Sequence, residues 1–288
     1  MLRALLLPAM LLVTSACTPA RDDVAHSDPC TSGEEALTSG EADAAISAFE
    51  ACLATASLDP EQEAIIHTRL GGAYLYESRY EEALQAFNLA YAIAETQGVQ
   101  FENPYVRRNR GISRLAVGHL EGALTDLQAA VLDLPDDIMT QLNLGRAYSR
   151  LGREAEAVAA FDAVTRIEPE WSGGWTNLSA SLLELGVYDQ AIDHARRAVE
   201  LEPESGFTLN GLCWALIVDS QHETALPLCE QAVAVEPENG AIVHSLASAL
   251  EGVGRIDEAR SLYSEAYALM PESETIELDY LRTRAEND

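Results

Sequence analysis

The 288-residue sequence contains no lysine: all 18 of its basic residues are arginine, against 47 acidic ones, for a formal net charge of -29. A chain so short of positive charge is excluded as a phosphate-backbone binder, which needs a basic surface to release counterions. Nucleic acid is therefore not an expected partner. Long apolar runs are missing as well. No segment reaches the roughly 20 uncharged residues of a spanning helix, so no transmembrane helix is expected. The signatures of enzyme chemistry are also lacking: there is no Cys-x-x-Cys, no cysteine-histidine cluster, no glycine-rich phosphate loop, no nucleophile elbow and no His-Glu-x-x-His. His26, His67, His119, His194, His222 and His244 are scattered. The chain is expected to hold no catalytic residue, metal or cofactor and not to be an enzyme. Aromatics make up only 6%, whereas 48% of residues are hydrophobic, enough to bury a sizeable core. The excess of Ala, Leu and Glu favours helix, and an all-α fold is expected.

Met1 to Arg3 gives a short positive start, Ala4 to Val13 is apolar apart from Pro8, and Thr14-Ser15-Ala16 are small residues before Cys17. This reads as a signal peptide over residues 1–16. The small residues running into Cys17 resemble the lipobox of bacterial lipoproteins, although Thr14 stands where that family prefers leucine. The resemblance implies a lipid on Cys17, and ordinary secretion is the alternative. Thr18 follows the cysteine in place of the aspartate associated with inner-membrane retention, which points to the outer membrane. Residues 17–28 lack an apolar period and read as a tether, about 40 Å long at full stretch.

Prolines at 135, 169, 203, 237 and 271 recur every 34 residues, and alanines at 123, 157, 191, 225 and 259 keep the same step. The body is a repeat array. With Ile138 as position 1, units begin at Pro104, Ile138, Ser172, Gly206 and Gly240, and two weaker copies precede them, around Gly33 and Gly71. Apolar residues at positions 4, 7, 8 and 11, then at 20, 24 and 27, predict two helices per unit. Glycine at position 15 closes the first helix and proline at position 32 ends the second. The early copies are offset by 38 and 40 residues, and the extra residues are expected to lengthen a second helix or its exit loop. Pro227, inside a second helix, is either tolerated because it stands near the helix start or kinks the pair. Residues 29–273 form the array, and residues 274–288 supply a polar-faced capping helix and tail.

Cys213 and Cys229 occupy positions 8 and 24; Cys30 and Cys52 occupy 5 and 27. Residues level with one another in an antiparallel helix pair have positions summing to a constant, and both pairs sum to 32. In an oxidising compartment both pairs are expected to form disulfides. The alternative is four buried cysteines filling small core sites. Cys17 is left without a partner.

Leu144-Gly145-x-x-Tyr148, Gly152, Ala157, Phe161 and Pro169 resemble the tetratricopeptide repeat. The resemblance implies a right-handed α-solenoid of about seven helix-turn-helix repeats that binds peptides or protein segments. It further implies that the first helix of each repeat lines a concave groove through positions 2, 5, 6, 9, 12 and 13. Position 6 carries Asn109, Asn143 and Asn177, amides suited to gripping a peptide backbone. The run is broken by Arg69, Gly211 and Ser245. Arg108 at position 5 and Arg146 at position 9 would offer guanidinium forks to carboxylates, unless they pair with neighbouring acids, as could the rest of the cluster Arg107, Arg110 and Arg114. Phe207 and Trp214, at positions 2 and 9, would put aromatics in the groove, whereas Trp175 at position 4 is expected in the core.

These features together predict a lipoprotein of the bacterial envelope, facing the periplasm, which acts as an adaptor for other envelope proteins or peptides and meets the membrane only through its N-terminal lipid. Small tetratricopeptide lipoproteins that assist cell-wall hydrolases or type IV pilus assembly are the nearest comparison. A regulatory peptide-binding subunit of an enzyme complex, with catalysis in trans, is the reading from another class.

Overall fold

The computed structural model describes residues 28–99 and 103–285, and the signal segment, Cys17 and nearly all of the tether lie outside them. Among the described residues there are fifteen helices and no strand. In chain order they are α1 (Pro29–Thr38), α2 (Ala42–Thr55), α3 (Pro60–Tyr76), α4 (Tyr80–Gln97), α5 (Pro104–Ala116), α6 (Leu120–Asp133), α7 (Ile138–Arg150), α8 (Glu154–Ile167), α9 (Ser172–Glu184), α10 (Tyr188–Leu201), α11 (Gly206–Val218), α12 (His222–Val235), α13 (Gly240–Gly252), α14 (Ile256–Leu269) and α15 (Glu274–Ala285). The first fourteen alternate as the first and second helices of seven repeats and α15 follows the last, the all-α repeat architecture that the 34-residue period predicts. No described helix is long and apolar enough to cross a membrane. The described residues divide into two compact units, one up to residue 147 and one from residue 148, with the division falling inside α7.

Every hairpin turns through the same backbone device. Position 15 is left-handed in all seven, as Gly40, Ser78, Gly118, Gly152, Gly186, Ser220 and Gly254, with φ between 60° and 84°. That conformation lets backbone N–H groups reach the last carbonyls of the first helix and redirect the chain into the second. Arg79, Arg153 and Arg255 stand one residue later and bond Glu82, Glu156 and Glu258 in the first turn of the second helix. These second helices have no side-chain N-cap, and the acid at the positive end of the helix dipole partly takes its place.

Within the first unit the hairpins close by small-to-large complementarity at positions 8 and 24. A Cβ added to Gly33 would lie 2.5 Å from the Phe49 ring, and one on Gly71 would lie 2.9 Å from Phe87. Phe49 and Phe87 are fully buried in one core with Leu70, Tyr74 and Val106. The extra residues of the first copy do not lengthen its second helix. They extend α3 by a turn, to 17 residues against 13 in α5, because Asp59, Pro60 and Gln62 form a complete capping box that starts the helix early. In the second copy part of the excess does lengthen the second helix, α4, to 18 residues.

The second unit buries Ile192, Leu212, Leu216, Ala225, Leu250 and Tyr263 together. Its α12 runs on through Pro227 without interruption. The helix α15 covers the end of the unit: Ile276 packs on Val243 and Ala266, Arg282 forks onto Glu251 at 2.6 and 2.8 Å, and Tyr267 stacks on Tyr280.

Candidate functional site

In the first unit the arginine cluster on α5 is largely consumed by the fold. Arg110 and Arg114 both hold the buried Asp126, at 2.6 and 2.8 Å, and the Arg110 guanidinium lies 3.6 Å over the Tyr91 ring. Arg107 pairs with Asp133 at 3.5 Å. Arg108 departs from its expected role. It is 1% exposed and its Nη1 bonds both carboxylate oxygens of Asp137, at 3.1 and 3.2 Å, so it offers no open guanidinium to a partner. The reason lies in the loop before α7, where Asp137 also accepts from the backbone N–H of Thr140 at 2.8 Å and so fixes the start of that helix. Arg108 further donates to Oδ1 of Asn109, and both residues are buried.

Arg146 is different. It is half-buried on α7, and no carboxylate among the described residues pairs with it. Burial lowers the pKa of its guanidinium from the ordinary value, with the Tyr80 phenol acting in the opposite sense. One turn earlier, the buried Asn143 donates its Nδ2 to the carbonyl of Met139 at 2.8 Å.

In the second unit Asn177 repeats that arrangement, donating to the carbonyl of Gly173 at 2.7 Å. A backbone carbonyl can only accept, so the group turned inward is the NH2, which spends one of its two N–H donors and keeps the second beside Oδ1. Each amide therefore keeps one donor and one acceptor, although Asn143 is itself buried. Phe207 and Trp214 stand two turns apart on α11, 54% and 36% exposed. The Trp214 ring lies 6.1 Å from that of His244 on α13, and His244 in turn bonds Asp279 of α15 at 2.9 Å. The repeat pattern holds no hint of this last pair, because Asp279 lies 35 residues away, outside the regular period. Trp175 is half-buried, with its Nε1 bonded to the carbonyl of Pro169.

Both expected cysteine pairs are bonded. Cys30–Cys52 and Cys213–Cys229 have Cα separations of 4.9 and 5.4 Å. The second bridge occupies the same two hairpin positions as Gly71 and Phe87 in α3 and α4, and covalently replaces their packing.

The molecule is thus a helical-hairpin repeat protein, and comparison with known proteins gives the family. Tetratricopeptide repeat models match residues 30–97, 108–170, 173–205 and 216–274. The chain belongs to the tetratricopeptide repeat family. A tetratricopeptide repeat protein from Parabacteroides merdae is similar in structure, with a TM-score of 0.69 at 14% identity over 89% of this chain and 97% of that one. One from Thermus thermophilus gives 0.56 at 22% identity, over 64% of this chain and all of the other. The C-terminal part of a repeat protein from Cytophaga hutchinsonii gives 0.58 at 17%, over 86% and 98%. At these identities the likeness establishes the fold. No curated protein matches the sequence. Repeats of this family are in general protein-interaction scaffolds, without catalytic machinery of their own.

Proposed function

We propose that this protein is an envelope-tethered scaffold that captures extended segments of partner proteins on the inner faces of its first helices. The observation that carries the reading is the pair Phe207 and Trp214. Among the large apolar side chains that the described residues leave exposed, these two alone stand on first helices. Aromatics held on a rigid helix with open faces anchor partners at low entropic cost. In the first unit by itself Arg146 supplies a desolvated cation suited to a partner's carboxylate, and in the second Asn177 supplies an amide acceptor beside the aromatics.

The two disulfides support an oxidising compartment, and the small residues before Cys17 support a lipid anchor at the outer membrane. The test is crosslinking in intact envelopes followed by recovery of this chain. Partners recovered with the wild type should be lost with Phe207→Ala/Trp214→Ala, while the helical melting curve stays in place. An unchanged partner set would overturn the capture site. Palmitate labelling that is equal in the wild type and Cys17→Ser would overturn the anchor.

A further inference from the structure

The first helices of the two units differ in charge. In the first unit α3, α5 and the part of α7 that precedes the division carry Arg69, the four arginines of α5, and Arg146. In the second, α9 and α11 carry no basic residue at all and α13 carries only His244, whose ring is already bonded to Asp279. The second unit's other positive charges stand on second helices, at their N-terminal caps, on α15, or, for Arg150, at the last residue of α7. Most of them hold an acid there, as Arg197 holds Glu170 and Glu200, and Arg282 holds Glu251.

What α9, α11 and α13 present instead is aromatic, amide and acidic, with no arginine among them. Along α11, residues 207, 210 and 214 share one face. Phe207 and Trp214 are exposed rings whose faces carry negative quadrupole charge, whereas Oδ1 of Asn210 between them is buried without a hydrogen-bond partner and so is not open to one from outside. The neighbouring α9 meets α11 closely where Thr176 lies 3.2 Å from a Cβ added to Gly211. Beside that contact Asn177 spends one of its two N–H donors on the carbonyl of Gly173 and keeps Oδ1 as an acceptor. Two turns along α9 from Asn177 stands the exposed Glu184, to which no described arginine is paired. Acceptors, aromatic faces and an uncompensated carboxylate on a surface without a fixed cation select one chemistry.

We infer that the inner face of the second unit, formed by α9, α11 and α13, docks a basic segment of a partner protein, with lysine or arginine side chains on Trp214 and Phe207 and backbone or side-chain N–H groups on Asn177. This rests on the segment-capture reading above and names the class of segment. It contrasts with the acidic partner for which Arg146 is suited in the first unit.

A library of random dodecapeptides displayed on phage, panned against the wild-type chain in about 0.5 M salt to suppress the general pull of a protein with net charge -29, tests it. Peptides enriched in Lys and Arg should emerge. A synthetic copy of the dominant one should bind about tenfold more weakly to Trp214→Ala and to Phe207→Ala, and several-fold more weakly to Glu184→Gln. Melting curves of the variants, whose changed side chains are exposed, control for folding. Acidic or uncharged peptides whose binding depends on Trp214 would overturn the basic-segment assignment and leave segment capture standing. Enrichment indifferent to both aromatic variants, or none at all, would overturn the docking face and with it the proposed function.

Discussion

At the scale of single residues, the second serine of the two left-handed turns shows how a repeat tolerates a poor choice. Position 15 is glycine in five hairpins, but Ser78 and Ser220 both adopt φ 60° there. The left-handed region costs an L-residue with a Cβ about 1 to 2 kcal/mol, and the extra flexibility of glycine in the unfolded chain returns part of that. Ser220→Gly is therefore expected to stabilise the second unit by about 0.5 to 1 kcal/mol, read as a higher urea midpoint at unchanged slope. A lower midpoint would mean that the serine makes a compensating contact. These two turns are also where the sequence hides a regular feature, since serine carries no left-handed signal of its own. The fate of Arg108 was equally hidden: its partner Asp137 lies 29 residues on, in a loop whose geometry no helical period specifies. The orientation of Asn143 and Asn177 follows from the carbonyls of Met139 and Gly173, four residues earlier, which come within reach only once the helix exists.

At the scale of elements, the two disulfides sit in unlike surroundings. Cys213 and Cys229 are both fully buried, whereas Cys30 is half-exposed on α1, a helix of 10 residues at the start of the array. Cross-linking over 22 and 16 residues contributes about 3 kcal/mol in each hairpin on the chain-entropy account. Accessibility separates them. A mild reductant applied to the folded protein, followed by alkylation and mass spectrometry, should label Cys30 and Cys52 well before Cys213 and Cys229, which need the α11–α12 hairpin to open first. Equal rates would show that the buried bridge is reached through local opening as easily as the outer one. This is also where the sequence was most informative. Helix positions summing to one constant are a consequence of antiparallel pairing, so the bonded partners could be read from the period alone. The extra turn of α3 could not be read so directly, because the period describes what recurs and a capping box at Asp59 acts only once.

At the scale of the whole molecule, charge is the dominant imbalance. Many of the arginine-carboxylate pairs join residues three or four apart on exposed helix faces, such as Arg166 with Asp162 and Arg196 with Asp193, and pairs of this kind contribute little. Against them stands the mutual repulsion of a net charge of -29, which acts over longer distances and is the larger effect at low salt. Raising the ionic strength from about 0.01 to 0.5 M shortens the screening length from about 30 Å to a few ångströms, weakening the repulsion between distant charges more than the attraction in close pairs. The thermal midpoint at pH 7 should accordingly rise by several degrees with salt. Acid acts in two opposed ways. Protonating ordinary carboxylates relieves the repulsion first. Glu156, Glu251 and Glu258, however, are held below the usual carboxylate range by bonds from Arg153, Arg282 and Arg255. A depressed carboxylate contributes stability that is present above its unfolded pKa and is lost as pH falls through the folded value. Stability should therefore climb as pH drops from 7 towards 5 and fall again below about 4.5, the ordinary value from which these three groups are lowered. A midpoint that falls on adding salt at pH 7 would reverse the order of the two effects and make the surface ion pairs, rather than the aggregate charge, the controlling term.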